Sequence, residues 1–452
     1  MKYGSRRVVI ANSFDRVREL FVKNANLTSD RPTSHVFEHF VGYDLGSSSL
    51  DDVHKRERLA SIKSVQPRKW PTFYPMLRRE GYDIIRVLAE DGDYGKKSLF
   101  PHPFFQRVSM NIAFQVTLGK RFTNAKDPWL REYIENAGKI TTVRSGTNTW
   151  IDFIPILRLL PTKQRELIIA KGASQKREEM VSVVLKELQD KMARGEEVDC
   201  IAASVLTDKD SSLSLREAVK ASMSMLQGGS ETVANHLVAG FSGLLSPKGQ
   251  LIQEEAYQDI LKTYPNGDAT EHAFTEEAVP WISALQKESL RNYVTTPFSL
   301  PRAANVDITL SNKGGRDIVI PKGTTLYMNA EGANHDPMRF GTDADDFNPA
   351  RWLNEAEING PGMPYFSYGV GSRLCPAYLI SNRIIYGIIL RVILAYKLVS
   401  VEADPAPRSY KEISANVAGS VVSPKPFGIR FVPRDEVLLK EQLAAEGMTY
   451  QG

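Results

Sequence analysis

The sequence predicts a mainly α-helical protein with small β-sheets, and three observations carry that expectation. Apolar residues recur at helical spacing through long stretches, as in FDRVRELFVK, KREEMVSVVLKELQDKMA and VPWISALQKESLRNY. Strand-like patterns are few and short. The most apolar stretch, Ile384 to Leu398, contains Arg391 and Lys397, which suits a buried core helix better than a membrane span.

Taken in order, the later elements are a hairpin and a closing strand. VDITL (306–310) and DIVI (317–320) flank SNKGGR, whose paired glycines suit a tight turn, and GIRFVP (428–433) alternates as a strand. TDKDSS (207–212) and TYPNGDATE (263–271) read as loops. There is no internal repeat, and no Pro/Gly/Ser-rich or like-charged tract divides the chain, so residues 1–452 are expected to form one domain.

Charge and cysteine content exclude several functions. The 57 basic and 53 acidic residues leave a formal charge of +4 without a like-charged arm, so nucleic acid is not an expected partner. Cys200 and Cys375 are too few for a disulfide scaffold and too far apart for a Cys-x-x-Cys metal site, which points to a reducing compartment. The opening MKYGSRRVVIANSF has no apolar run of signal or anchor length, so no transmembrane segment is expected.

The chemistry concentrates in MPYFSYGVGSRLCPAYLISNR, where Gly369, Gly371, Arg373 and Cys375 are spaced two apart ahead of the apolar helix. Glycines let a backbone turn tightly beside a flat ligand, and the amides freed by the turn can donate to a metal-bound sulfur. Arg373 is close enough to the cysteine to meet an anionic group on that ligand. A phosphate-binding glycine loop is a poor match, because the third glycine and the strand-turn-helix frame are missing. Cys200, in GEEVDCIAAS, has no such loop and reads as structural.

Two further segments carry charge or glycine where a plain helix would not. Glu288 and Arg291 stand three apart on one helix face, a pattern expected about once by chance in a chain this long, followed by FNPARW with Arg351. MLQGGSETVANHL interrupts a helical pattern with Gly228 and Gly229 just before Glu231 and Thr232.

YGVGSRLCPA is similar to the haem-binding signature of the cytochrome P-450 family, F-x-x-G-x-R-x-C-x-G. Tyr368 takes the place of the Phe, with Phe366 close by, and Ala377 that of the last Gly. The glycine segment resembles the family's (A/G)-G-x-(D/E)-T motif, and FNPARW its F-x-P-x-R segment. The resemblance implies the cytochrome P-450 fold, with haem b between a long central helix and the cysteine loop, and Cys375 as axial ligand of the iron. It implies that Phe366, Tyr368, Gly369 and Gly371 frame that ligand, and that Arg373, Arg302 and His54 meet the propionates. His54 is assigned by its place four residues after Leu50, which stands where the family has Trp. It further implies a buried triad of Glu288, Arg291 and Arg351 beneath the loop. Thr232 would hydrogen-bond dioxygen in the distal pocket, and Glu231 would help deliver protons.

The family's substrate-contacting segments map onto Met225 to Gly229, including Gly228, onto Val294 to Phe298, and onto Ser420 to Val422 around Val421. These segments hold few charges, so a neutral aromatic is expected rather than a free acid such as phenylacetate. RRVVIANSFDRVRELF looks like the family's second strand and following helix, so the usual anchor and first strand are expected to be absent. That would leave a sheet edge uncovered. The location implied is the cytoplasm or the cytosolic face of the endoplasmic reticulum.

The reaction implied is hydroxylation of an aromatic small molecule, as in the fungal hydroxylases of phenylacetate and small phenols that this sequence looks most like, and in secondary metabolism. Oxidative coupling of aromatic radicals is the alternative within the family. A haem-binding or peroxide-driven protein without dioxygen turnover is the alternative outside it. No flavin or dinucleotide fingerprint occurs, so electrons from NADPH would arrive through a separate NADPH–cytochrome P-450 reductase, with cytochrome b5 as a second donor. Lys55, Arg56 and Arg58 are expected to face that acidic partner.

Overall fold

The computed structural model describes residues 1–450 apart from 123–126, 145–149, 208–212, 312–314, 354–362, 404, 408 and 416–419. Helices make up most of it, and the strands gather into a four-stranded sheet and two ribbons. The helix around which the rest packs is Tyr378–Ala395. Its Ile384, Ile385, Ile388, Leu390 and Ile393 are buried, and it touches the helices Trp70–Asp91, Thr232–Gly243, Pro247–Thr263 and Pro280–Asn292. Among the described residues it is the one helix long and apolar enough to cross a membrane, and here it is a core helix.

Arg391 is tolerated in this core because Glu446 takes it bidentately, at 2.6 and 3.0 Å, from the C-terminal helix Glu436–Tyr450. The apolar run differs from expectation at its end: the helix stops at Ala395 and continues as strand β7 (Tyr396–Ser400), which pairs with β8 (Ile429–Pro433). Beta-sheet pairing and the Tyr396 hydroxyl bond to the Ile85 carbonyl at 2.5 Å outweigh further helix growth there.

The late hairpin forms as expected from β4 (Ile308–Leu310) and β5 (Ile318–Ile320), while most of its turn lies outside the described residues. Residues 208–212 of the first expected loop also lie outside them. The second loop is present but shortened by a helical turn at Ala269–His272. The opening strand β2 (Arg6–Ala11) runs parallel to β6 (Thr325–Met328), and β3 (Arg302–Ala303) pairs on the far side of β6. The other edge of β2 is not bare, because β1 (Lys2–Tyr3) covers its start. FDRVRELFVK begins as α-helix and widens into π-helical turns at Arg18–Lys23.

Candidate active site

The cysteine loop is shaped by its glycines. Gly369 and Gly371 have φ of 72° and 61°, and a Cβ on Gly371 would meet the Phe21 carbonyl oxygen at 2.5 Å. The loop then closes through the Cys375 amide, which donates to the Tyr368 carbonyl at 2.9 Å. The turn leaves the Ala377 amide free to bond the Cys375 sulfur. Burial pushes that thiol above its ordinary value, against the smaller downward pull of the Ala377 amide and Arg58. A neutral thiol of this kind loses its proton when a metal takes the sulfur. Cys200 is buried as expected, and burial pushes its thiol up to about 11.

Tyr368 is the ring beside the sulfur: it lines the cavity with Gly369 and Cys375, and its hydroxyl donates to Asn382 at 2.8 Å. Phe366 and Gly371 do not line the cavity. Phe366 is turned inward against Phe14, ring centroids 4.7 Å apart, and supports the loop from below.

The cavity above Cys375 has a volume of about 360 Å³ and a mostly apolar wall. Its far side is a helix broken in two, Leu215–Gly229 and Thr232–Gly243. The break exposes the Gly229 carbonyl, which the Ser109 hydroxyl takes at 2.6 Å. The two glycines do different work. A Cβ on Gly229 would press on Ala113 at 2.9 Å, whereas Gly228 faces open space in the cavity. Thr232 and Met225 also line the cavity, and the Thr232 hydroxyl donates to the Gly228 carbonyl at 2.7 Å. Glu231 sits in the break, behind the wall; burial raises its pKa, with His102 opposing.

The expected pocket segments need correction after the triad helix. Val294 is fully buried in the core, Phe298 is 48% exposed, and neither lines the cavity; Thr295, Thr296, Ser299 and Leu300 do. The backbone turns at Ser299, whose φ is 50°, and so presents the other faces of this segment. Val421 also stands outside the cavity wall.

Four arginines line the cavity: Arg302 and Arg373, which the resemblance named, and Arg31 and Arg58, which it did not place there. Arg302 is 3% exposed; its Nη2 donates to the Val370 carbonyl at 2.7 Å and its Nη1 is buried without a partner. Arg373 is held by the carbonyls of Ser29 and Ser48, both at 2.8 Å. Burial first, and then neighbouring guanidiniums, pull Arg302 down to about 9 and Arg373 to about 10. Positive charge gathered this way in a partly apolar space calls for anions. A haem dianion, its sulfur ligand waiting at Cys375, fits this donor set.

His54 is not in that wall. It stands one step behind, with Nε2 accepting from Arg373 Nη1 at 3.1 Å and Nδ1 bonded to Ser48 Oγ at 2.9 Å. Burial and Arg373 hold it down at about 4, so it is neutral and positions Arg373. The residue that reaches the cavity from this helix, Asp52–Ser64, is Arg58, one turn further on, with Nη2 on the Leu374 carbonyl at 2.5 Å. Its spacing of four from His54 was the available signal. Arg58 therefore faces inward rather than toward a partner, while Lys55 and Arg56 stay outside on Asp52 and Glu217. Arg31 lies in the non-periodic stretch TSDRPTSH, which gave no signal.

The triad forms as expected. Glu288 and Arg291 are fully buried and paired bidentately at 2.8 and 2.9 Å, and Arg351 joins at 3.3 Å. Trp352 and the Asn348 amide, both at 2.8 Å, complete the carboxylate. Burial, the largest influence, pushes Glu288 up, but Arg291, Arg351 and these bonds together bring it below its ordinary value. Asn334, missed in the sequence, links the network to the loop: its amide donates to the Arg291 carbonyl at 3.1 Å and its oxygen accepts from the Phe366 amide at 2.7 Å.

Two histidines near this framework set a pH limit. Burial pulls His236 and His335 down to about 4, below the ordinary 6.5. The unfolded chain then binds more protons between those values, so stability is full above about pH 6.5 and falls as pH drops toward 4, by up to about 1.4 kcal/mol per unit for each. His236→Gln is expected to flatten the dependence of the urea midpoint between pH 7.5 and 5, and an unchanged slope would contradict the assignment.

Comparison with known proteins agrees with this geometry. The family model described as Cytochrome P450 matches residues 1–431. Phenylacetate 2-hydroxylase of Emericella nidulans is 34% identical over 456 residues, covering 98% of this chain and 85% of the relative. The 3-hydroxyphenylacetate 6-hydroxylase of the same organism is 31% identical, over 98% and 84%. In fold, a zebra fish cytochrome P450 solved with abiraterone superposes with a TM-score of 0.73 over 96% of both chains, at 16% identity. With its cysteine loop, supporting triad and arginine-lined cavity, and with a family match over nearly its whole length, this chain belongs to the cytochrome P450 family of monooxygenases.

Proposed function

We propose that this chain hydroxylates an aromatic small molecule in fungal secondary metabolism, with dioxygen and with NADPH-derived electrons passed on by a separate reductase. The observation that carries this reading is the placement of Cys375 in the wall of a mostly apolar cavity that Gly228 and Thr232 also line. Relatives that cover almost the whole chain are named as hydroxylases of phenylacetate and 3-hydroxyphenylacetate, which supports an aromatic substrate. Bound haem b would supply a thiolate-ligated iron whose electron push favours cleavage of the oxygen–oxygen bond.

The chain's own residues do the rest. Cys375 holds the iron and the Ala377 amide tempers the sulfur; Arg302, Arg373 and Arg58 hold the propionates, with His54 orienting Arg373. Met225, Ile112 and Val116 keep water from the substrate ring. Thr232 offers a hydroxyl in the cavity, and Glu231, kept protonated to a higher pH by burial, resupplies protons from behind. Association with the cytosolic face of the endoplasmic reticulum would bring the chain to its reductase.

The decisive experiment is turnover of the holoenzyme with reductase, NADPH and oxygen-18-labelled dioxygen, which should place the label in an aromatic hydroxyl group. Label found only in water would refute the reading. Thr232→Ala and Glu231→Gln are expected to keep NADPH consumption while diverting it to hydrogen peroxide, with product formation lowered about a hundred-fold. If product formation is instead driven by added peroxide and is untouched by either substitution, the protein does not activate dioxygen.

A further inference from the structure

His236 stands four residues after Thr232 in the helix Thr232–Gly243, so the two share a helix face, and both line the cavity. The residue is 3% exposed, and its Nδ1 is buried with no hydrogen-bond partner among the described residues. Unmet polar atoms of this kind are uncommon in folded chains, because burial takes away the hydrogen bonds that water supplied. Neither the cysteine loop, nor the arginines, nor the triad gives this nitrogen work to do.

The polar groups around it are engaged elsewhere. Asn235 is bonded to His102 Nε2 at 2.8 Å and donates to the Val422 carbonyl at 3.1 Å. The Tyr293 ring meets the imidazole at 81° with centroids 6.3 Å apart, and its hydroxyl donates to the Val422 carbonyl at 3.0 Å. The Thr232 hydroxyl is on the Gly228 carbonyl at 2.7 Å. Burial, the largest influence, pulls the His236 imidazole down to about 4 against the carbonyls of Tyr293 and Ser289, so the ring is neutral near pH 7. A neutral imidazole offers no ion pair to a carboxylate. A hydroxyl both donates and accepts, so it satisfies Nδ1 in either ring tautomer.

We propose that His236 Nδ1 forms a hydrogen bond with a ring hydroxyl of the substrate, which is then a phenol. Val233, Ile112 and Val116 line the same cavity and provide apolar surface for the ring that carries the hydroxyl. The hydroxyl is held one helical turn beyond Thr232, about 6 Å along the helix. The ring therefore enters the cavity with one end fixed, and the position oxidised is set relative to that hydroxyl. This assignment rests on the aromatic-substrate reading given above and narrows it to aromatics that already carry a hydroxyl, so a phenol-forming reaction must supply the substrate.

The test is titration of the ferric holoenzyme, following the haem spin state, with two pairs of probes that differ by one hydroxyl. These are 3-ethylphenol with ethylbenzene and 3-hydroxyphenylacetate with phenylacetate. In the wild type the hydroxylated member of at least one pair should bind about ten- to a hundred-fold tighter than the plain one. His236→Phe should keep full haem content and the affinity for the plain member while the preference disappears. His236→Asn should recover part of it, because its amide places a polar atom where Nδ1 stood. A wild type that binds both members of each pair alike would mean that solvent meets Nδ1, and would overturn the proposal. A preference that survives His236→Phe would overturn it too. Loss of haem from both variants would make His236 a framework residue, with the same consequence. Binding is read here without turnover, so a protein that selects phenols through His236 but does not label them with oxygen fails the hydroxylase reading and not this one.

Discussion

Replacing Cys375 by serine is expected to abolish the strongly red-shifted Soret band of the ferrous carbon monoxide complex, and with it all NADPH-driven hydroxylation. The band reports thiolate ligation, and Cys375 is the cysteine that lines the arginine-lined cavity. An oxygen ligand pushes less electron density to the iron, so the loss should be of the whole activity rather than a fraction. Cys200→Ser is the control. Its sulfur is buried, accepts from the Ala203 amide at 3.3 Å and lies away from the cavity wall, so the band should survive. Retention of the band in Cys375→Ser, or its loss in Cys200→Ser, would remove the central assignment.

The second large effect is expected from the triad. Arg291→Ala removes the bidentate partner of a fully buried carboxylate and also frees the carbonyls of Asn334, Ala344 and Asp346, which Arg291 binds at 2.7–2.9 Å. Removing one member of a buried ion pair costs about 3–5 kcal/mol, because the other charge stays in the interior uncompensated. Arg351, at 3.3 Å, is too distant and too occupied with Asp343 to replace it. The damage should reach the haem through Asn334, whose bond to the Phe366 amide fixes the base of the cysteine loop. The expected result is a large fall in thermal stability together with failure to take up haem. A stable holoprotein with a normal spectrum from Arg291→Ala would show that the triad does not support the loop.

Much of this was legible in the chain because it depends on local backbone geometry. The cysteine loop needs φ values near +60° to +70° at defined steps, and only glycine adopts them freely, so Gly369 and Gly371 mark the turn in the letters themselves. The triad was legible for a related reason, since Glu288 and Arg291 pair across a single helical turn. Arg351 could be attached to them only through the family pattern.

What the letters did not contain is direction. Val294 and Phe298 sit in the expected segment, yet the reversal of the backbone at Ser299 turns neighbouring residues to the cavity instead. His54 and Arg58 are equally basic-looking on one helix, and only packing decides that the first braces Arg373 and the second enters the cavity. Asn334 is an ordinary residue until the fold brings its amide between Arg291 and Phe366.

By itself, then, the sequence determined the helical class, the glycine-shaped cysteine loop, the Glu288–Arg291 pair and the glycines that interrupt the central helix, all of which follow from short-range spacing and the conformational freedom of glycine. Only the tertiary structure decided that Arg31 and Arg58 join Arg302 and Arg373 around the cavity. Arg31, Arg58, Arg302 and Arg373 come from four separate segments, and no local pattern records that their guanidiniums converge. Their mutual repulsion is an energy of the folded arrangement alone, since the same four charges in an extended chain are far apart and screened by water.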